Sequence, residues 1–217
     1  MGTAWRSITI SDPPAPCACP AVPEAEKSTQ PPKLHVVMLG GRAEGCRIEL
    51  HDVAFAVGRS LEETHHQLLD QWFGEPRGLH VDAWAVVDQV AGYRVSLRAE
   101  PPEEEKPLRL YFVNIGGYRP GDLAEQHGYR VLAAGSRAQA KACAKRSLLQ
   151  GLESVHKDDL YEVDDMLTID RVGDLHVHLH ADDSACDPEI TNGYFPLPLK
   201  TIRAWQKQRT RDAGRSR

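Results

Sequence analysis

The stretch that decides the architecture is LHVVMLGGRAEGCRIELHDVAFAVGRS, running from Leu34 to Ser60. Set over LYFVNIGGYRPGDLAEQHGYRVLAAGS, from Leu110 to Ser136, it aligns without a gap at a shift of 76, and eight of the 27 pairs are identical. They include Gly40/Gly116, Gly41/Gly117, Gly45/Gly121, Glu49/Glu125, His51/His127 and Ser60/Ser136. Further on the shift becomes 82. Leu79 to Leu97 then lies over Tyr161 to Leu179, with Asp82/Asp164, Asp88/Asp170 and Val95/Val177 among the identities. Such self-similarity in one order is the mark of a tandem duplication.

Each copy reads as ββαββ. The apolar, β-branched runs Leu34 to Leu39 and Leu110 to Ile115 predict a first strand, which the glycine pair ends. A second strand follows at Val53 to Val57 and at Tyr129 to Ala133. Ser60 with Glu63, and Ser136 with Gln139, have the spacing of a capping box and open a helix. The first helix brings Leu61, Leu68, Leu69, Trp72 and Phe73 to one face; the second brings Ala138, Ala142, Cys143 and Leu149. A hairpin is expected to close each unit, Trp84 to Val87 returning as Tyr93 to Leu97, and Met166 to Ile169 returning as Leu175 to Leu179. The order excludes a doubly wound α/β fold. It predicts an α+β architecture with antiparallel sheet, helices on one face and pseudo-twofold symmetry between the copies. A unit of about 65 residues is marginal alone, so the copies should pack together. The expected organisation is a Pro-rich, disordered N-terminal tail over 1–33, a first repeat over 34–98, a charged linker over 99–108, a second repeat over 109–181, and a C-terminal extension with a basic tail over 182–217.

The runs Leu39-Gly40-Gly41, Ile48-Glu49-Leu50-His51-Asp52 and Gln71-Trp72-Phe73-Gly74 resemble a bacterial family known as domain of unknown function 1543, as do Asn114-Ile115-Gly116-Gly117-Tyr118 and Glu125-Gln126-His127. The resemblance covers about residues 34–195. It implies a domain found in one or two copies, and it brings no activity with it.

The net charge of -5 is unevenly placed. From Lys200 to Arg217, seven basic residues stand against Asp212 alone, so the acidity belongs to the rest of the chain. An acidic body suits phosphate backbones poorly, which makes nucleic acid an unfavoured partner; the basic end reads as a solvated, partly disordered tail. No apolar run reaches the roughly 18 residues of a membrane helix, and the N-terminus lacks a signal-peptide core. Five cysteines without regular spacing, Cys17-x-Cys19 among them, argue against a disulfide framework and favour a reducing, cytoplasmic setting.

Three features carry candidate chemistry. Gly40, Gly41, Gly45 and Gly116, Gly117, Gly121 form a repeated Gly-Gly-x-x-x-Gly whose amides could hold an anion, but neither loop opens a helix, and a conformational role is the better reading. Glu49 with His51, and Glu125 with His127, place a carboxylate and an imidazole on one side of an extended backbone. Both are metal ligands or acid/base groups, and two copies could offer all four to one divalent metal, with Asp82 and Asp164 as additions. The competing reading is that each pair ties down its own glycine loop. His176, His178 and His180 alternate with Leu175, Val177 and Leu179, which puts the imidazoles on the polar face of a strand. The favoured function is a binding module for a small molecule or a protein, with the loops between the first two strands as its surface. A metal-dependent enzyme at the Glu-x-His pairs is the alternative, and nucleic-acid contact through the basic tail is weaker. A homodimer stays open, and no serine elbow, CxxC pair or HExxH points to a named reaction.

Overall fold

The computed structural model describes residues 30–103, 108–117, 121–148 and 165–215. The first copy comprises β1 (Lys33–Gly41), β2 (Leu50–Gly58), α1 (Leu61–Gln71), β3 (His80–Val86), β4 (Gln89–Val90) and β5 (Tyr93–Arg98). The second repeats the order as β6 (Arg109–Gly117), β7 (Gln126–Ala134), α2 (Arg137–Leu148), β8 (Asp165–Thr168), β9 (Arg171–Val172) and β10 (Leu175–Ala181). Then come β11 (Ile190–Pro196) and α3 (Leu199–Arg215). The fold is α+β, with antiparallel pairing throughout. None of the described helices is long and apolar enough to cross a membrane.

The strands form three sheets, in the orders β11-β3-β1-β2, β7-β6-β8 and β4-β5-β10-β9. This changes the expected closing hairpin. The chain does turn after β3, but β3 stays beside β1 while β5 crosses into the third sheet and pairs with β10 of the other copy. The reason is burial: Val90 and Val95 pack into a core shared by both copies instead of returning over β3. The β5–β10 register is reciprocal. Arg94 faces His180 and Arg98 faces His176, around a central Ser96–His178 pair. At a shift of 82 His176 is the counterpart of Arg94 and His180 that of Arg98, so the two outer pairs repeat each other with their sides exchanged.

The shared core is assembled from matched positions: Leu34 and Leu110, Val36 and Phe112, Val87 and Ile169, Val90 and Val172, Val95 and Val177. Phe55 meets Phe112 edge-on at 5.8 Å across it. The opposite face of each main sheet carries a helix. Val37, Leu39, Ala54 and Ala56 bury against Leu68, Leu69 and Trp72, while Val113, Ile115 and Leu132 bury against Ala140 and Ala144. Phe73, expected on the helical face, lies past the helix end and is exposed. The linkage at the turns is also duplicated: Lys33 pairs with Asp88 at 2.7 Å and Arg109 with Asp170 at 3.0 Å. His178 and His180 do lie on the polar face, bonded to Glu100 O and Ser96 Oγ.

Two devices close the first sheet. Gln67 and Gln71 of α1 each take the backbone of the edge strand β2 with both amide atoms, at Val57 (2.9 and 2.7 Å) and Phe55 (3.1 and 2.9 Å). They imitate a neighbouring strand and satisfy an edge that would otherwise invite pairing. On the other side β11 adds to β3. The segment read as a solvated tail is therefore structured: α3 buries Ile202 and Trp205 against α1, and Trp205 Nε1–H donates to Asp70 Oδ1 at 2.8 Å. Its charge masked this, because the apolar contacts of α3 are few among many Lys and Arg.

Candidate metal centre

The first sheet positions a cluster of polar side chains around a missing one. In the β1 ladders Gly40 lies opposite His51 on β2 and opposite His80 on β3. A Cβ on Gly40 would stand 2.5 Å from both His80 Nε2 and Asp82 Oδ2. Only glycine leaves the space that the neighbouring side chains fill. Asp82 reaches it because the β1–β3 register shifts between Met38 and Leu39, which leaves Asp82 as the unpaired bulge residue. Bulges re-aim a side chain in this way. Glu49 arrives from the last residue before β2.

The distances are short. His80 Nε2 lies 3.0 Å from Glu49 Oε1 and 3.3 Å from Asp82 Oδ1, and His51 Nε2 lies 3.2 Å from Asp82 Oδ2 and 3.5 Å from Glu49 Oε1. Ligand atoms from Glu49, His80 and Asp82 all fall within 4.8 Å of one another. Ligand atoms about 2.0–2.2 Å from a tetrahedral zinc stand roughly 3.3–3.6 Å apart, and the separations of His80 Nε2 from the two carboxylates lie near that spacing. Side-chain exposure rises from 3% at His80, through 29% at Asp82 and 44% at Glu49, to 50% at His51. The cluster is thus closed at His80 and open to solvent at His51.

His80 also has its orientation fixed. Nδ1 lies 2.9 Å from the carbonyl oxygen of Gly78, which can only accept, so Nδ1 carries the proton. Tyr194 of β11 packs on the ring at 4.5 Å between centroids. Nε2 then faces carboxylate oxygens of Glu49 and Asp82, acceptors again. A neutral ring would point its lone pair at two anions. The arrangement needs either a second proton on the imidazole or a cation between the three groups. Asp82 Oδ2 adds to this demand: it is buried, and His51 Nε2 at 3.2 Å approaches it without forming a well-aligned hydrogen bond.

Of the residues expected from the sequence, Glu49, His51, Asp82 and Gly40 meet here. Gly41 lets Trp72 approach, since a Cβ would lie 2.8 Å from its ring. Gly45 and Gly121 both have positive φ, at 80° and 91°, so these loop glycines are conformational. Gly116 and Gly117 end β6, as Gly40 and Gly41 end β1. Glu125 and His127 form their own pair at 3.6 Å and are not part of the three-residue group. Asp164 lies outside the described residues. Among the described residues the three-residue group lies within the first copy, and the two Glu-x-His pairs are not brought into one group. β3 of the same sheet supplies His80 and Asp82 beside Glu49 and His51. His80 was missed because comparison of the copies favours matched residues, and its counterpart in the second copy is Glu162. The signal was the His80-x-Asp82 pair at the start of a strand, where alternate residues share a face.

Residues 46–97 and 122–172 match the model of DUF1543, a domain of unknown function. The chain belongs to this family. The crystal structure of a protein Il1583 from Idiomarina loihiensis is similar to it over 77% of this chain and 99% of that one, with 38% sequence identity and a TM-score of 0.59. Comparison with curated proteins finds no match. The family model meets the chain twice, and its first match contains all four residues of the cluster, Glu49, His51, His80 and Asp82.

Proposed function

We propose that this DUF1543 protein binds one divalent first-row transition metal through Glu49, His80 and Asp82, and uses the metal to hold a small molecule. The observation that carries this is the buried His80 ring with acceptors on both nitrogens. A mixed imidazole and carboxylate set suits zinc, manganese or iron better than calcium or magnesium, which prefer oxygen alone. The Nδ1–H bond to Gly78 O is the outer-shell contact that fixes a metal-binding tautomer. Three protein ligands would leave coordination positions open, and the rise in exposure toward His51 supports locating them on that side. His51 stands there as a proton acceptor or donor beside whatever occupies them. A cytoplasmic setting accords with the free thiols of Cys46 and Cys186.

Elemental analysis of protein purified without chelator tests the reading. About one equivalent of a transition metal is expected, as for an open site with three protein ligands. His80→Ala and Asp82→Asn should lose it, while the Glu125→Ala, His127→Ala double variant keeps it. If wild-type protein exposed to zinc and to manganese retains neither after desalting, the cluster is a hydrogen-bonded tie between the β1–β2 loop and β3, and the metal reading is lost.

A further inference from the structure

A cavity of about 440 Å³ lies between the main sheets of the two copies, within the size range of small-molecule sites. Met38, Val53 and Ala83 form its wall on the first sheet, and Phe112, Tyr129 and Val131 on the second. Phe112 and Tyr129 are stacked, with ring centroids 5.8 Å apart and planes 20° apart. The cavity abuts the metal cluster: Ala83 follows Asp82, and Val53 opposite Met38 lies two residues, about 7 Å, along from His51 opposite Gly40. One polar group on its lining has no partner. Arg130 also lines the cavity; its Nη2 is held by Asp187 Oδ2 at 2.6 Å, but its Nε–H is buried and bonds to nothing among the described residues. A buried donor without an acceptor costs about 1–3 kcal/mol, which a ligand that fills the gap recovers.

We infer that this cavity takes an uncharged aromatic molecule bearing one carbonyl or hydroxyl oxygen, its rings between the two sheets and its oxygen accepting from Arg130 Nε–H. The stacked Phe112 and Tyr129 favour flat rings over flexible chains. The Arg130–Asp187 pair decides the charge: the guanidinium is already neutralised, and a ligand carboxylate would meet that of Asp187. This site goes beyond the metal proposal and stands without it, because no wall of the cavity is a metal ligand.

Calorimetry on the full chain with three probes of one shape tests the inference: benzophenone, diphenylmethane, which lacks the oxygen, and 4-benzoylbenzoate, which adds a carboxylate. Benzophenone should bind one to one, about tenfold more tightly than either of the others, the worth of one hydrogen bond to a charged donor. Arg130→Met should bring benzophenone down to the level of diphenylmethane and leave diphenylmethane unchanged. Val131→Trp, which fills the space, should remove binding of all three while circular dichroism stays native. Titration with EDTA and with added zinc separates the two proposals: loss of the metal leaves benzophenone binding in place. Absence of saturable benzophenone binding, equal affinity for benzophenone and diphenylmethane by the wild-type protein, or binding that survives Val131→Trp overturns the inference. The first two need no variant to fold.

Discussion

The two copies share a chain path and differ in what is attached to it. In the first, Glu49 and His51 are joined by His80 and Asp82 around Gly40. In the second, Glu125 and His127 sit 3.6 Å apart, and the sequence has Glu162 where the first copy has His80. The first copy's sheet is closed on both sides, by Gln67 and Gln71 along β2 and by β11 along β3. The positions matching those glutamines are Cys143 and Ser147, neither of which has an amide to bridge a strand's donor and acceptor together. The lesson is that the two copies keep one scaffold while the C-terminal strand and helix pack on the first, the copy in which Glu49, His51, His80 and Asp82 cluster.

The contrast can be broken most severely at the C-terminal segment. A chain ending at Asp187 loses Leu197, Ile202 and Trp205 from the first helix–sheet core, each worth about 1.5–3 kcal/mol when buried. It should lose about 5 kcal/mol or more in denaturant unfolding and expose His80 by removing Tyr194. Next come the glycines. Gly40→Ala sets a Cβ against His80 and Asp82 without changing φ, and should cost about 1–3 kcal/mol as overpacking and weaken zinc retention. Gly45→Ala meets nothing within 4 Å but inherits φ +80°, so it should cost about 1–2 kcal/mol and leave zinc retention alone.

A smaller effect separates the copies by pH. His35 is buried on β1, its Nε2–H donating to Gly58 O at 3.1 Å, and burial lowers its pKa below the ordinary 6.5. The position matching it is Tyr111, which does not titrate in that range. A lowered folded-state value means the unfolded chain takes up the proton first. The contribution of His35 is then complete above pH 6.5 and is lost as pH falls below 6.5 toward its folded value. Urea midpoints measured downward from pH 7.5 should decline over that window, and His35→Gln should flatten the decline. The smallest effect should be the same in both copies. Removing the partly exposed Lys33–Asp88 or Arg109–Asp170 pair should cost less than about 1 kcal/mol, with double-mutant cycles agreeing between them.

Local order was legible in the sequence. The glycine pair ends β1 and β6 as expected, and Ser136 Oγ accepts from Gln139 N as its capping spacing predicts, while the Gln139 side chain accepts from Gly135 N, one residue before the cap. The first helix keeps half of that device, with Glu63 on Arg59 N. The partition into sheets was not legible, because Val95 and Val177 alternate identically whether their strands return to their own copy or cross to the other. The fold of α3 was hidden by its charge. In the site, Glu49, His51 and Asp82 emerged from comparing the copies, and His80 did not, since a residue used in only one copy leaves no internal echo.

The reciprocal ladder of β5 and β10 has a consequence for ancestry. An interface whose two sides are equivalent residues in mirrored order is the kind a molecule makes with its own twin. A single ancestral unit ending in the β5 strand could pair with a second molecule through that same strand, burying Val95 and its neighbours against themselves. Joining two such genes in one reading frame would convert a concentration-dependent partnership into a permanent one. Each half would then be free to drift, because a change in one no longer had to be tolerated in both.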